Sequence, residues 1–151
     1  MTIDIRAEPT ARETEFASLY AQVQQFYADQ LQLLDAHDAE RWAETFTEDA
    51  VFEIPALSEP VRGRDGLIST LRRNQEHQQR DGARLRRWIG MLDVRPQLDG
   101  TLHTRCSALV YMTPHGGESK VLHVCAMEDV LVRSRSTWRT RHRRVTRDDL
   151  A

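Results

Sequence analysis

From Glu13 to Leu34, apolar side chains return every three or four residues: Phe16, Leu19, Tyr20, Val23, Phe26, Tyr27, Leu31 and Leu34. This spacing predicts a long helix, ending near Ala36, with one face turned to a core. Ahead of it, residues 1–12 carry Pro9 and no periodic apolar pattern, and read as a flexible arm. Asp38 is placed to cap a second, short helix over Ala39 to Phe46, with Arg41 where a capping box would have Glu or Gln. The acidic turn Thr47-Glu48-Asp49 then leads into a predicted strand over Ala50 to Ile54, stopped by Pro55. Leu67, Ile68 and Leu71 start a third helix behind Arg62-Gly63-Arg64-Asp65-Gly66, and its continuation through Gln79 is polar.

After Asp81-Gly82 the period changes to that of a strand. Trp88 to Val94, Thr101 to Met112, Lys120 to Arg133 and Thr137 to Thr146 read as strands with turn-forming segments between them. Three helices followed by an antiparallel meander define an α+β layer rather than alternating units. Strands this long bend into a strongly curved sheet. The expected architecture is therefore a cone, a curved antiparallel sheet wrapped around three N-terminal helices, whose interior is a natural small-molecule cavity. Nothing repeats or reads as a linker, so residues 13–147 form a single domain and residues 148–151 a C-terminal tail.

A length of 151 residues suits one core, and 40% hydrophobic with 29% charged residues is ordinary for a folded domain. A net charge of -2 gives no bulk attraction to a phosphate backbone, so no nucleic acid partner is expected. Arginines cluster at Arg84, Arg86 and Arg87, and again at Arg139, Arg141, Arg143, Arg144 and Arg147, where alternation sends several to a solvated face or a dimer surface. No apolar run is long enough for a membrane span and no export signal opens the chain, which predicts a cytoplasmic protein. Cys106 and Cys125 lack the spacing of a metal or redox motif and fit free thiols. The histidines show no ligand-spaced pair and the glycines no phosphate loop, so neither metal nor other cofactor is expected.

One carboxylate stands out. Asp35 ends the apolar face of the first helix, where desolvation would suit it to acid–base work, although an Asp at a helix end is commonly a solvated or capping residue. The segment around it, from Leu31 through Trp42 to Phe46-Thr47-Glu48-Asp49-Ala50-Val51-Phe52, resembles the opening of the nuclear transport factor 2-like superfamily. In particular it is similar to the SnoaL-like polyketide cyclases and to scytalone dehydratase, which share an Asp at the end of helix one followed by a Trp. Val61-Arg62-Gly63-Arg64-Asp65 and Trp138 followed by Arg143 extend the resemblance over residues 13 to 147.

What the resemblance implies is a pocket faced by Thr104, Cys106, Ala108 and Val110 on one strand and His123, Cys125 and Met127 on the next. It implies Asp35 and His123 as the catalytic pair, a carboxylate fixing an imidazole next to a polyketide carbonyl. Trp88, Phe52, Cys106, Cys125, Met127 and Arg143 are then the substrate-binding set, with Trp88 a wall for a flat ligand and Arg143 a pocket cation or a partner for Asp35. The paired histidines of the dehydratase are replaced here by Trp88 and Cys106. His123 also fits a buried core histidine, and the cysteines fit small core hydrophobes.

The leading expectation is a cofactor-independent cyclase, dehydratase or isomerase of aromatic or polyketide secondary metabolism. A binding or protective protein for such an intermediate is the second. A third follows from Phe26-Tyr27-Ala28-Asp29, Leu33-Leu34-Asp35 and Trp42, which also resemble the structural β subunit of ring-hydroxylating dioxygenases. A homodimer is expected through the outer face of the sheet, where Leu109, Tyr111, Leu122 and Val124 would otherwise meet water.

Overall fold

Thr10 and Glu13 open the first helix by capping each other: the Thr10 hydroxyl accepts from the Glu13 N–H at 3.1 Å and the Glu13 carboxylate accepts from the Thr10 N–H at 3.2 Å. The helix, α1 (Ala11–Asp35), therefore starts two residues before the expected Glu13. The computed structural model describes residues 7–151, so the first six residues of the expected arm lie outside the described residues. Asp38 caps α2 (Ala39–Glu44) by accepting from the Arg41 N–H, as its position in the sequence suggested.

The second helix stops short of its expected end because Phe46, fully buried, already pairs with Thr140 and opens β1 (Phe46–Glu53). Thr47, Glu48 and Asp49 are consequently strand rather than turn, and a register shift between Phe46 and Val51 absorbs them. After β2 (Val61–Arg62), α3 (Gly63–Asp81) begins at Gly63 with φ +70, earlier than Leu67. Arg64 fastens this corner by donating to the Phe46 carbonyl at 3.1 and 2.9 Å. Gly82, at φ +63, ends α3 in the left-handed cap that favours glycine.

The rest is strand: β3 (Ala83–Pro96), β4 (Leu102–Pro114), β5 (Lys120–Ser134) and β6 (Thr137–Arg147), followed by a 3-10 turn at Asp148–Leu150. The sheet runs β2-β1-β6-β5-β4-β3. Its long strands are antiparallel, but β1 lies parallel to β6, so the sheet is mixed rather than antiparallel throughout. The fold is α+β, an open curved sheet with three helices, as the sequence indicated. Met91, at φ 54, forms a bulge opposite Cys106, between the Gly90–Ser107 and Asp93–Arg105 pairs, and Tyr20 donates to the Leu92 carbonyl at 2.9 Å.

Two apolar clusters fill the interior. One gathers Val23, Tyr27, Cys106, Met127, Leu131 and Trp138 beneath α1; the other gathers Trp42, Phe46, Ala50, Leu67 and Leu71 between α2, α3 and β1. A polar network is buried with them. Arg143 Nε donates to Asp129 Oδ1 at 2.9 Å, and its Nη2 donates to Asp129 Oδ2 at 2.8 Å and to the Gln30 side chain. Tyr27 donates to Asp129 at 2.7 Å, and Gln30 reaches the hydroxyls of Thr45 and Thr140 at 2.9 and 3.1 Å. The rings of Phe46, Phe52 and Tyr27 surround the guanidinium at 5.2, 5.7 and 6.0 Å.

Arg143 is thus a core cation, 1% exposed, whose carboxylate partner is Asp129 and not Asp35. Phe52 stacks on Phe46 at 6.3 Å and faces this network. Burial works against the charge on Arg143, but the Asp129 charge and hydrogen bonds outweigh it and hold its pKa above the ordinary arginine value. Burial, with help from Asp129, drives the Tyr27 hydroxyl well above the ordinary tyrosine range.

Candidate active site

Where the C-terminal ends of α1 and α3 meet the first half of β3 and the turn after β4, an open cleft of about 1300 Å³ forms. Gln32, Asp35 and His37 line it from α1 and the turn behind it, Gln75 and Gln78 from α3, Arg87 from β3, and His115 from the β4–β5 turn. Its lining is rich in arginine and glutamine, more polar than the apolar pocket expected for a flat hydrophobic ligand.

Asp35 is the last residue of α1, where the helix dipole is negative and no basic residue shares the final turn. Arg87 supplies the compensation from across the cleft. Its Nη1 donates to Asp35 Oδ1 at 2.7 Å, and its backbone N–H donates to Oδ2 at 3.2 Å. The side chains remain 22% and 18% exposed, so the pair stands at the cleft surface rather than in the core. The sequence indicated a desolvated carboxylate hydrogen-bonded to His123; the structure gives an ion-paired one, held by an arginine.

His123 lies on the same concave face but farther along it. Arg87, Val110 and His123 form one cross-strand row, which puts two strand spacings, roughly 10 Å, between the first and the last. His123 does not line the cleft. Burial, then Arg147, then Arg87 lower its pKa below the histidine norm, and Asp149 opposes them. A neutral imidazole at neutral pH is the result.

The expected binding set divides. Alternation along β3 turns the Trp88 ring outward, into the row Trp88–Leu109–Val124, where it is 67% exposed. Trp88 borders the cleft but is no wall of an inner pocket; it belongs with the outer-face residues Leu122 and Val124, which are also exposed. Cys106 and Met127 do face inward, yet they are packed in the core beneath α1. Cys125 is buried on the same face. Burial, with Asp129 adding to it, raises the Cys106 thiol to about 11, and burial raises Cys125 as well, so neither is a ready thiolate. Among the described residues no three His, Cys, Asp or Glu side chains gather as a metal ion would require, and no helix is long and apolar enough to cross a membrane.

Sequence reasoning missed Arg87, His37 and Asp129. Arg87 was hidden in an arginine cluster placed before the strand. Asp129 had a signal, since it continues the inward alternation of Cys125 and Met127.

Comparison with known proteins identifies relatives of the same fold. The chain is similar to Aln2 from a Streptomyces species, with 32% identity, 95% of this chain and 96% of that one covered, and a TM-score of 0.82. It is similar to ActVI-ORFA from Streptomyces coelicolor at 30% identity, covering 87% and 98% of the two chains, with a TM-score of 0.79. A Catenulispora acidiphila protein solved in complex with S-DNPA shares 33% identity over 88% of this chain and 96% of its own, with a TM-score of 0.76. No curated protein matches the chain. The SnoaL-like domain profile matches residues 15–144, and the chain, with its α1 carboxylate at the mouth of a curved α+β sheet, belongs to the SnoaL-like domain family.

Proposed function

We propose that this protein is a cofactor-independent acid–base enzyme, a cyclase, dehydratase or isomerase, acting on an aromatic or polyketide-type ligand in the cleft at the end of α1. The observation that carries this reading is the pair of Asp35 and Arg87, fixed by two hydrogen bonds yet open to the cleft. Moving a proton next to a carbonyl creates negative charge on oxygen, and a preorganised guanidinium is suited to receive it. His123, neutral and on the same sheet face, is the candidate for a second proton transfer at the far end of an extended ligand. The complex of the Catenulispora relative with S-DNPA supports a small-molecule ligand. Asp35→Asn is expected to lower conversion of fused-ring aromatic ketones by about two to four powers of ten while leaving the fold intact. Undiminished turnover in that variant, followed by mass spectrometry of products, would sink the reading.

A non-catalytic binding or protective role is the second reading. It is favoured by the ion pair itself, since each Asp35 oxygen accepts a hydrogen bond from Arg87 and the carboxylate serves to hold the guanidinium. It predicts ligand affinity that survives Asp35→Asn and no rate gain over buffer.

The outer sheet face, with Trp88, Val121, Leu122 and Val124 exposed, supports a homodimer. Trp88→Glu is expected to shift native mass spectra from dimer to monomer; a wild-type monomer at micromolar concentration would contradict it.

A further inference from the structure

A base that works alongside Arg87 must be a group not itself committed to holding that guanidinium, and each Asp35 oxygen gives one of its lone pairs to Arg87. His37, two residues farther on, meets that requirement. The chain leaves α1 through paired hydrogen bonds, His37 N–H to the Leu34 carbonyl and Asp38 N–H to the Leu33 carbonyl, each at 3.1 Å. This helix ending places its fifth residue in the left-handed region, where glycine is favoured and asparagine tolerated. His37 occupies it at φ 58. Strain of this kind persists where the surroundings over-determine it, and it clusters at functional sites. Here its consequence is aim: residue 37 lines the cleft with Asp35 and Arg87, and the Gln78 side chain of α3 lines it too.

We propose that His37 is the general base of the cleft and that Arg87, held in place by Asp35, binds the oxygen on which charge develops. This rests on the acid–base reading above and narrows its ligand to an enolisable ketone. A ring nitrogen of His37 takes the proton from the carbon next to the carbonyl. The C–H electron pair becomes the new C=C bond, and the carbonyl π pair moves onto oxygen, which accepts hydrogen bonds from Arg87. The imidazolium then returns its proton to another carbon in an isomerisation, to the new alkoxide in an aldol closure, or to a departing hydroxide that leaves as water. No electrons are gained or lost, and no co-reactant is needed.

The charged groups that act on His37 are Asp35 on α1 and Arg87 on β3; Arg84 and Arg86 border the cleft from outward positions of β3, His115 lines it from the β4–β5 turn, and α3 presents Gln75, Gln78 and Gln79. Burial and then Arg87 depress its proton affinity below the usual histidine value of 6.5; Asp35 and Gln78 work in the opposite direction. The imidazole is therefore neutral and basic at neutral pH, and Asp35 is placed to stabilise the imidazolium once it forms. His123 has no such carboxylate in the cleft and does not line it.

The test is deuterium wash-in at the α-carbon of 2-tetralone, followed by NMR with the full chain in deuterated buffer. Wild type is expected to exchange faster than buffer, with a rate that rises through a pKa below 6.5 and then levels off. His37→Asn, which keeps a residue that tolerates the left-handed turn, should lose about a hundredfold or more and with it the acid limb, and added imidazole should restore part of the rate. His37→Gly should lose the same activity while melting at a higher temperature. If Asp35→Asn loses exchange but His37→Asn keeps the wild-type rate and acid limb, the assignment of His37 fails and the acid–base reading stands. Wild type that exchanges no faster than buffer would overturn both.

Discussion

Two aspartate–arginine pairs on the inner side of the sheet, Asp129–Arg143 and Asp35–Arg87, are built from the same chemistry and put to different use. Asp129 and Arg143 are 0% and 1% exposed, and the carboxylate is covered by the guanidinium and Tyr27. Asp35 and Arg87 are 22% and 18% exposed and border a cleft. In the sealed pair both charges have lost their water and each depends on the other; in the open pair each can turn to a ligand. Position in the fold, rather than residue type, separates a charge that holds the core from one free to do chemistry.

The largest effect is expected on the sealed side. Arg143→Met would leave Asp129 buried without its countercharge, which costs about 3–5 kcal/mol and is read from the shift of a urea unfolding midpoint. A loss below about 1 kcal/mol would mean that Asp129 is better solvated than its burial indicates. Asp35→Asn inverts the pattern: stability should move by no more than about 1 kcal/mol, as for a pair near the surface, while turnover collapses. His37→Gly sharpens the comparison further, because relief of the left-handed backbone should add about 1 kcal/mol of stability as the activity disappears.

The smallest effect is in pH. His37 and His123 both have folded-state pKa values below the usual 6.5, so the unfolded chain binds protons that the folded chain resists. Their contribution to stability is complete above that value and is lost as pH falls through the depressed folded values. An unfolding midpoint that drops between about pH 7 and pH 5, and drops less in His37→Asn, is the expected outcome.

Much of the fold could be read from residues alone, and the exceptions have physical causes. The last three strands begin and end within two residues of their hydrophobic patterns, because β-rich runs there are bounded by turn chemistry. The start of β1 was not visible, since Phe46 becomes strand only by pairing with Thr140, almost a hundred residues away in the chain. The first half of β3 was hidden by Arg84, Arg86 and Arg87, whose charge reads as loop although alternate positions, Leu85 and Arg87, turn inward. The Met91 bulge explains Trp88: it shifts the alternation of β3 by one, so Trp88, which the resemblance placed in the pocket, lies on the outer face although Val94 beyond the bulge faces in. Asp35 was legible from its place at the end of an apolar helical face. Its partner was not, because Arg87 comes from a strand fifty-two positions later.

The central claim, that the open pair works while the sealed pair supports, is tested most directly by product analysis of wild type and Asp35→Asn with a panel of fused-ring aromatic ketones, each protein checked for folding by urea denaturation. Loss of conversion in a variant that unfolds at the wild-type midpoint is the predicted result. Conversion at the wild-type rate in that variant would contradict the account.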